Sequence, residues 1–202
     1  MFVQVIQGRV RDADQLRARM DRWIADLSPN AEGWLGSTTG VTADGIGIAL
    51  ARFESADAAR RNSERPEQGR WWAETQQLFD GDVTFHDSTD VQPFGRGGSD
   101  EAGFVQVIQG RYTDLEKGLE LMRRSEEPLR ELRPDVLGGL LCLYGDGGFT
   151  QAVYFTSEAE ARANEQKQPP PDVQAMFEEE AGITTDLRTA LSDNPTCAPY
   201  VG

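Results

Sequence analysis

From residue 2 to residue 10 the apolar positions fall on both sides of an extended segment. Phe2 and Ile6 share one side, and Val3 and Val5 share the other. This is the pattern of a strand covered on both faces. Gln4 lies on the Phe2/Ile6 side, where its amide needs a hydrogen-bond partner. The period then lengthens. Leu16, Met20, Trp23, Ile24 and Leu27 recur at helical spacing behind Asp12, which caps the helix with Gln15 at the capping-box position, and Pro29 ends it. Residues 34–42 and 46–53 read as two strands around Ala43-Asp44-Gly45, a strong hairpin signal. Ser55 caps a helix to about Ser63. Pro66 restarts it, because proline fits a first helical turn and breaks an interior one. Val83 to Ser88 is a closing strand, with Val83 and Phe85 on one side and Thr84, His86 and Ser88 on the other.

The same order then recurs. Residues 104–111 repeat the octapeptide of residues 2–9, Phe-Val-Gln-Val-Ile-Gln-Gly-Arg. A shift of 102 also pairs Asp12 with Asp114, Asp44-Gly45 with Asp146-Gly147, Phe53 with Phe155, Ser55 with Ser157 and Asn62 with Asn164. A period near a hundred residues is too long for a solenoid unit and fits a duplicated small domain. The second copy has a strand from Phe104, a helix from Asp114, a hairpin at Gly145-Asp146-Gly147, a helix from Ser157 and a strand near 184–191. Pro128 should kink or restart its first helix, with Ser125 as a possible cap, and Pro169-Pro170-Pro171 interrupts its second.

Each copy therefore predicts β-α-β-β-α-β, the ferredoxin-like split arrangement, and the chain is an α+β protein of two tandem ferredoxin-like units. The expected boundaries are a first repeat over 1–90, a glycine-rich polar linker over 91–103 and a second repeat over 104–202. A sheet with helices on one face needs cover on the other. The two sheets covering each other would make the chain a monomer with an internal pseudo-dimer, an intramolecular dimeric α/β barrel.

Composition narrows the function classes. The formal charge is −14, with 11 basic and 17 acidic residues through Ala102 and 9 and 17 after it. Such a field repels nucleic acid and anionic membrane, so neither is an expected partner. No apolar run approaches the roughly 20 residues of a membrane helix. No basic segment precedes the short apolar start, so a cytoplasmic protein is expected, with Cys142 and Cys197 as reduced structural thiols. One histidine and two distant cysteines predict no metal site. The chain has no phosphate-loop lysine, nucleophile elbow or Cys/His pair.

The octapeptide start and the segment Asn62-Ser63-Glu64-Arg65-Pro66-Glu67-Gln68-Gly69-Arg70-Trp71-Trp72 carry a resemblance. They resemble the dimeric α/β-barrel superfamily, most of all the branch named for antibiotic-biosynthesis monooxygenases, here as a tandem fusion. The resemblance implies a pocket between sheet and helices in each unit. It also implies three kinds of member: some oxidise aromatic substrates with oxygen and no cofactor, some degrade haem, and many have no known activity. Haem-degrading members are expected to supply a first-strand asparagine and a second-helix histidine. Here the first strand offers Gln4 and Gln7, and neither second helix has a histidine, which disfavours haem. Cofactor-free members use an asparagine and a tryptophan, matched in residue type by Asn62 with Trp71 or Trp72.

The two copies differ where chemistry would sit. Trp23, Trp34, Trp71, Trp72 and His86 all belong to the first, and Gly47, Ala49 and Ala51 become Phe149, Gln151 and Val153 in the second. Small residues beneath a helix bearing two large aromatics can leave a pocket that larger ones fill. The larger pocket is therefore expected in the first copy, for a small hydrophobic or aromatic molecule and with no cofactor. Asn62, Trp72 and His86 are the candidate catalytic residues, with Gln4, Trp34, Arg65 and Trp71 as candidate ligand contacts. Each has a plainer reading: a helix cap or turn partner for Asn62, since Asn164 repeats it; a surface ion pair for Arg65; an exposed position or a hydrogen bond for His86; core packing for one of the adjacent tryptophans; and a structural hydrogen bond for Gln4. A non-catalytic binder or sensor, and a structural or assembly module, are the alternative functions of the same fold.

Overall fold

The double-sided apolar octapeptide becomes an interior strand of a sheet in each unit. The structure is a computed structural model and describes residues 1–193, 196 and 197. Residues 1–91, together with the described residues from 191 onward, group into one compact unit, and residues 92–190 into the other.

In the first unit, β1 (Phe2–Arg9) leads to α1 (Ala13–Arg22), β2 (Trp34–Val41), β3 (Ile46–Phe53), α2 (Ala56–Ser63), α3 (Pro66–Thr75) and β4 (Thr84–Ser88). Asp12 caps α1 by accepting from the Gln15 backbone N–H, and Ser55 caps α2 by accepting from Ala58. Between α1 and β2 the helix widens into a single π-helical turn, Trp23–Leu27, followed by a short 3-10 turn with Pro29 at its second residue. A one-turn widening rotates the side chains it carries relative to a continuous α-helix. Here it carries Trp23 and Ile24. The hairpin between β2 and β3 turns at Gly45, whose φ of +83° is a left-handed conformation that favours glycine.

The second unit runs through β5 (Asp90–Gly95), β6 (Phe104–Tyr112), α4 (Leu115–Leu132), β7 (Val136–Leu143), β8 (Gly148–Phe155), α5 (Glu158–Glu165), α6 (Pro171–Gly182) and β9 (Thr184–Asp193), before β10 (Thr196–Cys197). The two sheets have the orders β10-β2-β3-β1-β4 and β5-β7-β8-β6-β9. The start of the expected linker is thus a strand, β5, which hydrogen-bonds along β7, and β10 pairs with β2. Pro128 does not restart its helix. It sits inside the continuous α4, and Ser125 donates to the Met122 carbonyl instead of capping a new segment. A proline removes one backbone hydrogen bond. Lys117 and Arg124 of α4 pair with Glu179 of α6, which ties the helix to its neighbour. Cys142 is buried in β7, and the side chain of Cys197 lies outside the described residues.

Register fixes which residues share a face. Phe2, Gln4, Ile6 and Gly8 of β1 stand opposite Phe53, Ala51, Ala49 and Gly47 of β3. Gln4 and Ile6 stand opposite Asp87 and Phe85 of β4. The other face carries Val3, Val5, Leu50 and Arg52, all buried. In the second unit the position equivalent to Gly47 is Phe149. It stacks on Tyr112 with ring centroids 4.6 Å apart, in a cluster with Leu141 and Leu143.

The Tyr112 hydroxyl donates to Glu180 at 3.4 Å. Burial pushes the Glu180 carboxyl above its ordinary 4.5, and the Tyr112 hydrogen bond opposes this. A carboxyl raised in the folded state contributes stability that is present below pH 4.5 and lost as pH rises through the raised value. Glu180→Gln should therefore be more stable than the parent at pH 7, with the two converging at pH 4. Urea denaturation at both pH values checks this, and an equal difference at both would contradict it.

Candidate functional site

On the helix-covered face of the first sheet, a cavity of about 480 Å³ opens between β1–β4 and α1–α3. Its floor is Phe2, Gln4, Ile6, Gly47, Ala49 and Ala51. Its helical walls include Leu16 and Met20 from α1, Trp23 and Ile24 from the π turn, Asn62 from α2, and Trp71 and Trp72 from α3. The volume arises where the sequence places small residues. Ala49 and Ala51 leave the floor low, and Gly47 lets Val10, Leu16 and Phe79 close over the strand, because a Cβ there would lie 2.6 Å from Val10 Cγ2.

The aromatic wall is continuous. Trp34 packs edge-on against Trp23 at 5.0 Å, Trp23 against Trp71 at 6.4 Å, Trp71 lies 6.4 Å from Trp72, and Trp72 meets Phe85 at 5.3 Å. Polar contacts set the orientation of several rings. The Trp23 indole donates to Gln68 Oε1 at 2.7 Å, and the Trp34 indole to Ser37 Oγ at 3.0 Å. Arg19 lies over Trp71 at 5.6 Å while donating to the Trp71 carbonyl and to Glu74, which ties α1 to α3. The Trp71 indole N–H is buried and has no partner among the described residues. Leaving a buried donor unmatched costs about 1–3 kcal/mol.

Asn62 is 7% exposed and lines the cavity. Its Oδ1 accepts from Arg65 Nη1 at 2.9 Å. A guanidinium only donates, so this contact settles the amide orientation and leaves the Nδ2 N–H groups as the part available to the cavity. Arg65 is itself fixed, with Nε donating to Glu67 at 2.9 Å and both terminal nitrogens donating to the Leu27 carbonyl. The second unit supplies the control. Lys167 stands where Arg65 would be, and Asn164 turns its Nδ2 back onto the Glu160 carbonyl of its own helix at 2.9 Å. Asn164 thus bonds back within its own helix, whereas Asn62 bonds forward to Arg65 at the break before α3.

Four of the seven sequence candidates, Gln4, Asn62, Trp71 and Trp72, line this cavity, and three do not. Trp34 stands behind Trp23 and packs with the Phe2, Phe53 and Ala58 cluster, so it supports the wall without forming it. Arg65 spends its donors on Asn62, Glu67 and Leu27, which makes it a positioning group and not a ligand contact. His86 pairs with Val5, on the opposite face of the sheet, and is exposed there. The strand's two-residue period excludes it from the cavity. The residue that does enter is its neighbour, Asp87, which sequence reasoning passed over. Gln4 Nε2 donates to Asp87 Oδ1 at 2.9 Å, which answers the need of the Gln4 amide.

Among the described residues no histidine or cysteine lines the cavity. Among the described residues no group of three His, Cys, Asp or Glu side chains could hold a metal ion, and no helix is long and apolar enough to cross a membrane.

No family model and no curated protein matches the sequence. Solved structures do match. A candidate monooxygenase from Fusobacterium nucleatum aligns over 100% of this chain and 95% of its own, with a TM-score of 0.78 at 9% identity. An anthrone oxidase-like protein aligns over 95% and 90%, with a TM-score of 0.66 at 10% identity. A Listeria monocytogenes ferredoxin-fold protein related to antibiotic biosynthesis monooxygenases aligns over 96% and 95%, with a TM-score of 0.50 at 10% identity. At such identities the likeness is one of fold. The chain shares with these structures a ferredoxin-like α+β fold, as two ferredoxin-like units in tandem.

Proposed function

We propose that the first-unit cavity binds a hydrophobic aromatic molecule and oxidises it with dioxygen, using no metal or organic cofactor. The observation that carries this reading is the Asn62 amide, turned by Arg65 to offer its N–H groups to a tryptophan-walled cavity of about 480 Å³. That volume lies within the roughly 300–1,000 Å³ of small-molecule sites. Aromatic walls accept a planar ligand by stacking or edge contact. A fixed amide donor stabilises negative charge on a ligand oxygen. For a ring methylene the reaction balances as CH₂ plus O₂ giving C=O plus H₂O, with both oxygen atoms accounted for.

Anthrone, a tricyclic ketone with an acidic ring methylene, is a suitable probe, since one structural neighbour is an anthrone oxidase-like protein. The test is oxygen consumption with anthrone by the wild type and by Ala49→Phe, which builds a ring into the cavity floor. The wild type should consume oxygen in proportion to product. The variant, with its fold verified by circular dichroism, should lose at least about tenfold in affinity, the scale of blocking a buried apolar contact of roughly 1.4 kcal/mol. Saturable binding without oxygen uptake would favour a binder or sensor. Neither binding nor uptake would favour a structural module.

A further inference from the structure

We infer that Asp87, oriented by Gln4, is the base that removes a proton from the bound molecule, and that the ligand is therefore a weak carbon or oxygen acid whose anion is delocalised over an aromatic ring or a conjugated carbonyl. The inference rests on the reading of the cavity as an enzyme site and gives that site its substrate class.

Elimination comes first. Among the described residues, the ionisable side chains lining the cavity are Arg17, Arg60 and Asp87. A guanidinium stays protonated in proteins and cannot accept a proton. The described lining contains no histidine, lysine, cysteine, tyrosine or glutamate. Asp87 is the described ionisable side chain there that can accept a proton.

Geometry comes second. Asp87 stands directly across from Gln4 in the β1–β4 register, on the cavity face of the sheet. Gln4 Nε2 donates to Oδ1 at 2.9 Å. That bond engages one oxygen and leaves Oδ2, which has no ion pair or hydrogen bond among the described residues, for a ligand. Directly opposed side chains in an antiparallel pair are close neighbours, so the interior strand holds the carboxylate on the edge strand in place.

The chemistry then selects the ligand. Carboxylates are weak bases, so the proton must leave behind a stabilised anion. In the step, a substrate C–H or O–H bond breaks and an Asp87 Oδ2–H bond forms. The electron pair stays on the substrate, spread toward an oxygen that the Asn62 N–H groups can hold. No oxidant takes part in this step.

The test is anaerobic for that reason. Anthrone is added under argon to the wild type and to Asp87→Asn, which keeps an oxygen for Gln4, and the visible absorbance of the anthrone anion is followed. The wild type should develop the anion band. Asp87→Asn should bind anthrone within about threefold of the wild type and form the anion about 10²-fold more slowly, the lower end of general-base contributions. Equal ionisation by both proteins would overturn the assignment, and so would binding to the wild type without ionisation. A wild type that binds neither anthrone nor 1-naphthol would overturn the ligand class. Admitting air separates this result from the oxygenase reading. Ionisation without oxygen uptake sinks that reading and leaves Asp87 as the base. Equal oxygen uptake by Asp87→Asn and wild type does the reverse.

Discussion

Asn62→Ala is expected to lower turnover of the bound aromatic compound by about 10²–10³-fold, the effect of removing one preorganised donor to a developing oxyanion. The size follows from how the side chain is held. Asn62 is 7% exposed, and its oxygen is occupied by Arg65, so its N–H groups need no reorganisation to meet negative charge. Asn62→Asp is the informative companion. It keeps an oxygen for Arg65 but replaces the donor with an acceptor, and it should be as inactive as the alanine variant while folding normally. Arg65→Lys, which installs the residue found at position 167, should lower kcat more than it raises KM, because a lysine cannot reproduce the forked contacts to Asn62, Glu67 and Leu27. Steady-state kinetics on the three variants check the set. Full activity in Asn62→Ala would remove Asn62 from the chemistry.

The largest expected change in stability lies in the other unit. Phe149→Ala should destabilise the second unit by about 3–5 kcal/mol, the usual range for emptying a buried aromatic site. Phe149 is 4% exposed, stacks on Tyr112, and is surrounded by Leu141, Leu143, Ile108 and Leu119. Truncation removes the ring contact and leaves a void that the strand backbone of β7 and β8 cannot close. Urea denaturation followed by circular dichroism measures it, and a loss below about 1 kcal/mol would contradict the packing described. Gly47 occupies the same register position in the first unit. One duplicated scaffold thus spends this position on core packing in one copy and on a cavity floor in the other.

Much of this arrangement was legible in the sequence, because each signal was local. The repeated octapeptide marked the interior strands, Asp12, Ser55 and Ser157 cap helices as their positions suggest, and Gly45 and Gly147 turn the hairpins. The concentration of tryptophans over small strand residues pointed to the first unit. What was not legible depends on long-range register or on competition between partners. Pro128 lies inside the continuous α4, where a local rule would restart the helix. The edge positions of β5 and β10 come from pairing with strands distant in sequence. Whether residue 86 or residue 87 enters the cavity is decided by the β1–β4 register, and a one-residue change in register exchanges the two faces. Arg65 looked like a ligand contact because one of its acceptors, the Leu27 carbonyl before Pro29, is distant in sequence.

The central claim is that one of two duplicated units carries the functional site. Calorimetric titration of the protein with anthrone under argon tests it most directly, run on the wild type and on Ala49→Phe. The account predicts one site per chain in the wild type and a loss of at least about tenfold in affinity in the variant. Two equivalent sites per chain, or binding untouched by Ala49→Phe, would contradict it.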